Sequence, residues 1–287
     1  MKLTYHEAAE HLRDFISVYY MFETTAPIVQ PICAELGNVR FVLRGGGSLI
    51  WPDNRVRTVP PASIVGPTMS AYTIKAEANT RVFGVGVLPH GWDAIFGFGA
   101  DQLTDELAPL GDCIRSDYPG FGGAAGIADL HDRIYKAQTL KDCAFVADSY
   151  FSALIAGRGR RLKPFPKALE DWLLSPERRS LDDLIADLGV SRRQTDRLAK
   201  YFFGASPKAL QRKYRALHAL TRMSLYGSSH WYDVSGEGYY DQSHFIKEFK
   251  TFVGITPNCF DGDTAILMAR SIRLRARATH KHPLSML

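Results

Sequence analysis

The chain has 287 residues, 46% of them hydrophobic and 23% charged, a soluble globular composition with room for two domains that each bury a core. Nowhere does an apolar run reach the roughly 18 residues a membrane span needs, and the opening Met1–Glu7 stretch lacks the apolar segment of a secretion signal, so the expected location is cytoplasmic. The net charge of +5 hides a split: 23 Lys and Arg stand against 13 Asp and Glu from Arg158 onward, and 12 against 17 before it. Such a split suggests an acidic domain followed by a basic one that meets a polyanion, although a basic face can equally be solvated. The four cysteines (Cys33, Cys113, Cys143, Cys259) are scattered without a Cys-x-x-Cys pair, which argues against a zinc site or a disulfide framework.

In chain order, strands are predicted first. Residues 15–22, 39–43, 48–51, 55–57 and 81–88 are rich in β-branched and aromatic side chains, and 71–77 alternates at period two. Residues 52–54 read as a turn, and 44–48 as a flexible hairpin loop rather than a phosphate cradle, because no Lys-Ser/Thr pair follows its glycines. Short strands with Gly and Pro turns imply a small β-sandwich or barrel. Its aromatics Tyr19, Tyr20, Phe22, Phe41, Trp51, Tyr72 and Phe83 either line an apolar ligand pocket or fill an ordinary core. After Pro89 the pattern turns helical, at 92–96, 103–107 and 127–155. The last of these, with Leu130, Ile134, Leu140, Phe145 and Leu154, is either a dimer seam or a helix packed on its own sheet. No catalytic constellation emerges: His6, His11, His90 and His131 have no metal-ligand spacing, and no serine sits in a Gly-x-Ser-x-Gly elbow. Neither a cofactor nor a metal is expected, nor an enzyme.

A stretch of glycines, prolines and cations at 156–166 reads as a linker. Beyond it helices are predicted at 167–174, 181–187, 192–202 and 207–226, the last opened by Ser206 and Pro207. Leu181, Leu184, Ile185 and Leu188 form one apolar face, Ser180 caps it, and Gly189 supplies the positive φ that ends it. Ser191 caps the next helix, whose polar surface carries Arg192, Arg193, Asp196, Arg197 and Lys200 while Leu198, Tyr201 and Phe202 point inward. An arginine near the start of such a helix can grip guanine, and another can neutralise phosphate; a surface helix with solvated arginines is the plain alternative. The arginines at 270–277 suit either phosphate contact or a solvated, frayed tail.

Two signatures now stand about fifty residues apart. The first is Leu188-Gly189-Val190-Ser191-Arg192-Arg193, then Arg197-Leu198 and Phe203-Gly204-Ala205-Ser206-Pro207. The second is Gly238-Tyr239-Tyr240-Asp241-Gln242-Ser243-His244-Phe245, then Phe249-Lys250 and Gly254-Ile255-Thr256-Pro257. Residues 180–260 thereby resemble the DNA-binding region of the AraC/XylS family of bacterial transcription regulators. The resemblance implies two helix-turn-helix units joined by the helix from Pro207, reading successive major grooves. It assigns Arg192, Arg193, Asp196 and Arg197 to the first recognition helix and Gln242, Ser243, His244 and Lys247 to the second. Leu198, Phe245 and Phe249 are core in this scheme, and Arg212 and Lys213 contact only the DNA backbone. Two departures are Thr195, where the family buries a leucine, and the irregular segment 231–238, which weakens the start of the second unit. A looser resemblance, to N-terminal domains that precede this region in part of the family, rests on His11-Leu12-Arg13-Asp14-Phe15 and on Gly84-Val85-Gly86-Val87-Leu88-Pro89-His90-Gly91-Trp92.

The expected fold is α+β. A β-rich sandwich or barrel-like sensor or oligomerisation domain with trailing helices (1–155) is followed by a linker (156–166), an all-α double helix-turn-helix domain (167–270) and a basic tail (271–287). The expected partners are double-stranded DNA, a small-molecule effector, RNA polymerase and a second copy of the chain, with no membrane. The rival readings are a ligand- or protein-binding module with an impaired DNA-binding domain, and a fused DNA-modifying enzyme.

Overall fold

The computed structural model describes residues 1–114, 122–157, 162–175, 179–226, 239, 241–260 and 266–278. The irregular segment 231–238 lies outside the described residues. Two antiparallel sheets build the N-terminal half. One contains β1 (Lys2–His6), β2 (Ile16–Glu23), β4 (Gly37–Arg44), β7 (Ala62–Val65), β9 (Arg81–Val87) and β10 (Leu107–Pro109), in the order β1-β2-β9-β4-β7-β10. The other contains β3 (Ile28–Ile32), β5 (Gly47–Ile50), β6 (Val56–Thr58) and β8 (Tyr72–Ala76), in the order β3-β8-β5-β6. The fold class is therefore α+β, a β-rich half followed by a helical one.

Strand alternation sorts the aromatics that the sequence left undecided. Successive side chains point to opposite faces of a sheet. On the six-stranded sheet Tyr19, Val39, Phe41, Phe83 and Val85 join a core shared with helices, whereas Tyr20, Phe22, Asn38, Arg40 and Val82 turn toward the four-stranded sheet and line a cavity between the two. Trp51 and Tyr72 stack on each other in a separate cluster, with ring centroids 5.6 Å apart. Gly84 makes room for Tyr20: a Cβ there would lie 2.0 Å from the phenol carbon Cζ.

Helices α1 (Pro89–Phe96), α2 (Leu110–Cys113), α3 (Gly123–Lys136) and α4 (Leu140–Gly157) cover the outer face of the larger sheet. Leu130, Ile134 and Leu154 are buried there, against the chain's own sheet, while Phe145 is left 73% exposed. The helix expected over 127–155 is in fact two. Thr139 and Asp142 exchange N-terminal capping bonds, since Asp142 Oδ2 accepts from the Thr139 amide and Thr139 Oγ1 from that of Asp142, and a new helix begins. The helix expected at 103–107 is a turn leading into β10. Asp105 has φ +56°, a left-handed conformation that interrupts a helix, and its carboxylate accepts from the Met69 amide at 2.8 Å. Residues 44–48 do not close a hairpin: β4 and β5 belong to different sheets, and the glycines carry the chain from one to the other.

The C-terminal half contains α5 (Pro164–Leu174), α6 (Leu181–Leu188), α7 (Arg192–Phe203), α8 (Pro207–Tyr226), α9 (Gln242–Val253) and α10 (Ile266–Ala278). One core gathers Leu169, Leu184, Phe202 and Tyr214 from α5 to the start of α8; a second gathers Leu220, Phe245, Phe249 and Ile272 from the end of α8, α9 and α10. Residues 271–278, expected in a solvated tail, finish a helix that lies on β1 and β3, with Ile272 and Arg275 buried. Apolar Leu267, Met268, Ile272 and Leu274 on one side of α10 supply the burial that holds it there.

Candidate nucleic-acid interface

Local chemistry fixes the first unit. Ser180 Oγ accepts from the Asp183 amide while Asp183 accepts from the Ser180 amide, a reciprocal cap that opens α6. The Ser180 hydroxyl also donates to the Asp183 carboxylate at 2.8 Å, and with the Ser180 amide it holds that carboxyl below its ordinary pKa. Gly189 ends α6 at φ 60°, and two residues later Ser191 Oγ accepts from the Gln194 amide and opens α7. Arg192, Arg193 and Arg197 stand exposed on α7, while Ala199, Phe202 and Phe203 are buried behind them. Arg192 reaches Asp182 at 2.6 Å and Asp196 reaches Lys200 at 2.8 Å. Thr195 is fully buried, and its hydroxyl donates to the Ser191 carbonyl at 3.0 Å, so the site of the smaller side chain is satisfied locally.

The second unit repeats the arrangement with a different cap. Asp241 accepts from the His244 amide at 2.8 Å and opens α9. Gln242, Ser243 and Lys247 are exposed. His244 is turned away from them: it is half-buried, its Nε2 lies 3.5 Å from Glu248 Oε1, and its ring meets Tyr239 edge-on. What it faces is Glu248, a buried carboxylate on the next turn. Arg212 Nε donates to it at 2.6 Å, and Arg215 donates to its other oxygen at 2.5 and 3.1 Å. Burial works against the charged form, yet these bonds hold the Glu248 carboxyl below its ordinary pKa. Arg215 also lies 4.5 Å above the Tyr239 ring. The carboxylate therefore ties α8 to α9.

Lys213 corrects the reading that placed it on the DNA backbone. It is 1% exposed, and its Nζ donates to the main-chain carbonyls of Glu35 at 2.8 Å and Thr68 at 3.0 Å, both in the N-terminal half. Burial pushes its pKa down to about 8. Arg212, one residue earlier, is half-exposed but engaged by Glu248. The alternation of polar and apolar positions on α8 gave no sign that a lysine would be the buried one.

Sequence reasoning also missed how both units touch the β-rich half. Tyr201, on α7, donates to Asp93 at 2.7 Å, and Thr104 Oγ1 donates to the Gly204 carbonyl at 2.8 Å. Gly204, at φ 81°, packs against Pro67. On the other unit, the Ala34 amide donates to the Phe252 carbonyl at 2.7 Å and the Ala71 amide to the Thr251 carbonyl at 2.9 Å. The single loop 66–71 thus meets the end of α7, the middle of α8 through Thr68 and the end of α9. The recognition helices dock by their C-terminal ends, and their N-terminal turns, which carry the candidate readers, face solvent.

Comparison with known proteins agrees with the two signatures. Residues 184–262 match a family model described as Helix-turn-helix domain, and residues 4–109 one described as Domain of unknown function (DUF6597). No curated protein matches. Among solved structures, the chain is similar to wild-type ToxT from Vibrio cholerae strain SCE256 with unsaturated fatty acid bound: 10% identity, 88% of this chain, 95% of that one, TM-score 0.47. It is also similar to the AraC-like transcriptional activator CuxR, with 13% identity, 74% and 79% coverage and a TM-score of 0.31. The chain carries an AraC-type helix-turn-helix domain in its C-terminal part, preceded by a DUF6597 domain in its N-terminal part.

Proposed function

We propose that the protein is a cytoplasmic, sequence-specific transcription regulator that lays α7 and α9 in successive major grooves near a promoter, under control of its N-terminal half through a small effector or dimerisation. The observation that carries this reading is the pair of capped helices joined by α8, each presenting an exposed polar first turn over a buried apolar face. Arg192, Arg193, Asp196 and Arg197 serve α7; Gln242, Ser243 and Lys247 serve α9. His244 acts from behind, with Glu248. Arginine forks suit guanine O6 and N7, the Gln242 amide suits adenine, and Lys247 suits phosphate. The boundaries belonging to this reading are 1–155 for the sensor half and 167–270 for the DNA-reading half, and contact with RNA polymerase follows from the role. The basic excess after Arg158 adds the non-specific attraction that brings a duplex to the surface.

Fluorescence anisotropy of the full chain on a duplex from the region upstream of its own gene tests this. The expected result is a preference of about a thousandfold over a scrambled duplex, with affinity falling steeply between about 50 and 200 mM salt. Equal affinity for both duplexes would refute it.

A further inference from the structure

The packing that holds α10 in place leaves its outer arginines without a role. Leu267, Met268, Ile272 and Leu274 bury one side of α10 against α8 and the β-rich half. Between Leu267 and Arg277 the exposed residues are Arg270, Arg273 and Arg277, and no other residue type joins them. Spaced by three and four positions, they form one stripe along about 10 Å of helix. α10 contains no Asp or Glu, and among the described residues no carboxylate pairs with any of the three. Two of them are positioned by neutral partners instead. Arg270 Nη1 donates to the Met1 carbonyl at 3.0 Å, and Arg273 Nε donates to the Ser224 carbonyl, near the end of α8, at 2.7 Å. A guanidinium has five N–H donors, so each keeps most of its fork, and its whole charge, available to a partner. Arg277, in the last turn, also suits the negative end of the helix dipole; Arg270 and Arg273 lie too early in the helix for that.

We propose that this stripe is a third DNA contact, an edge that grips phosphates beside the second helix-turn-helix unit and reads no bases. A duplex carries one negative charge per about 1.7 Å of its axis, so three guanidinium groups over the length of the stripe meet a matching row of phosphates. A protein partner fits less well. Protein interfaces are centred on buried apolar or aromatic anchors with charges at the rim, and the exposed side of α10 offers no such anchor. α10 shares a core with α8 and α9 through Met268 and Ile272, and the Arg273 bond ties it to α8. Affinity gained at the stripe is therefore delivered to the unit that carries α9. The proposal rests on the regulator reading, but phosphate contact carries no sequence information, so the two can fail separately.

The test is the salt dependence of duplex binding by the full chain, measured by anisotropy on the upstream duplex and on a random-sequence duplex. The variants combine Arg270→Gln, Arg273→Gln and Arg277→Gln, or the same three positions changed to Lys. Each phosphate contact contributes about 0.9 to the slope of log affinity against log salt. The glutamine variant is expected to lose about 2 to 3 from that slope on both duplexes, with the preference between them unchanged. The lysine variant, which keeps the charges, should retain the slope. An unchanged slope in the glutamine variant, an equal loss in the lysine variant, or a changed preference would each overturn the assignment. Loss of binding to phosphatidylserine vesicles in the glutamine variant, with the DNA slope intact, would move the stripe to a membrane surface and overturn it too. Wild-type protein that binds both duplexes equally but loses slope in the glutamine variant would refute the sequence-specific regulator and leave the stripe supported. No binding to either duplex would refute both.

Discussion

Glu248 and Lys213 are both buried charges, and they are satisfied in different ways. Glu248 takes donors from two arginines on α8, so it acts as a cross-brace inside the DNA-reading half. Glu248→Gln keeps the shape but removes the charge, and should cost about 1–3 kcal/mol in a urea melt, because hydrogen bonds to charged groups are the stronger kind. DNA affinity should fall with it although residue 248 faces away from the readers; an unchanged melt would contradict the brace. Lys213 instead keeps its ammonium against two main-chain carbonyls of the other half. Folded, it releases its proton near pH 8; unfolded, only near 10.5. Between those values the unfolded chain holds more protons at this position, so the stability contributed by Lys213 rises with pH there and is flat below. The stability of the wild type relative to Lys213→Met should therefore increase from pH 8 to 10.5. A pH-independent difference would show that the lysine is not buried with its charge.

At the scale of elements, the caps and turns were the most legible features. Ser180, Gly189 and Ser191 punctuate α6 and α7 as their side chains and φ angles require, and Ser180→Ala should cost about 1 kcal/mol by thermal melt, with no loss expected if the reciprocal cap with Asp183 is absent. The strands that were read correctly are the ones rich in β-branched and aromatic residues, such as β2, β4 and β9. β1, β3, β7 and β10 were missed, and Pro31 and Pro109 weaken the propensity signal in β3 and β10. The break at 137–139 was hidden because Thr139 and Asp142 resemble ordinary surface residues until they cap α4. Contacts such as Tyr201 to Asp93, separated by 108 positions, leave no local trace at all. The exposure of Arg192, Arg193 and Arg197 on α7 was legible from spacing, whereas the inward turn of His244 toward Glu248 was not, since it depends on a carboxylate buried against α8. Tyr201→Phe should remove one polar tie between α7 and α1 while leaving the α7 core in place. The expected outcome is faster proteolysis between the halves with an unchanged helical circular dichroism signal; equal proteolysis rates would show that the bond does not hold the docked form.

Across the whole molecule, the loop 66–71 and the segment 31–35 join both helix-turn-helix units to one β-rich body, and α10 returns from the second unit to close that body's cavity. If α7 and α9 read DNA as proposed, these contacts from the β-rich half set their relative position, and DNA is met by a pair of fixed spacing rather than by two units on a flexible tether. Helices in successive major grooves are separated by one turn of the duplex, about 10 base pairs. The most direct measurement is the affinity of the full chain for its footprinted site compared with the same site carrying an insertion of about five base pairs between the halves, which rotates one groove to the far side. A fixed pair is expected to lose about tenfold or more in affinity, some 1.4 kcal/mol or greater, because only one helix can then engage. Equal affinity for the two duplexes would contradict it.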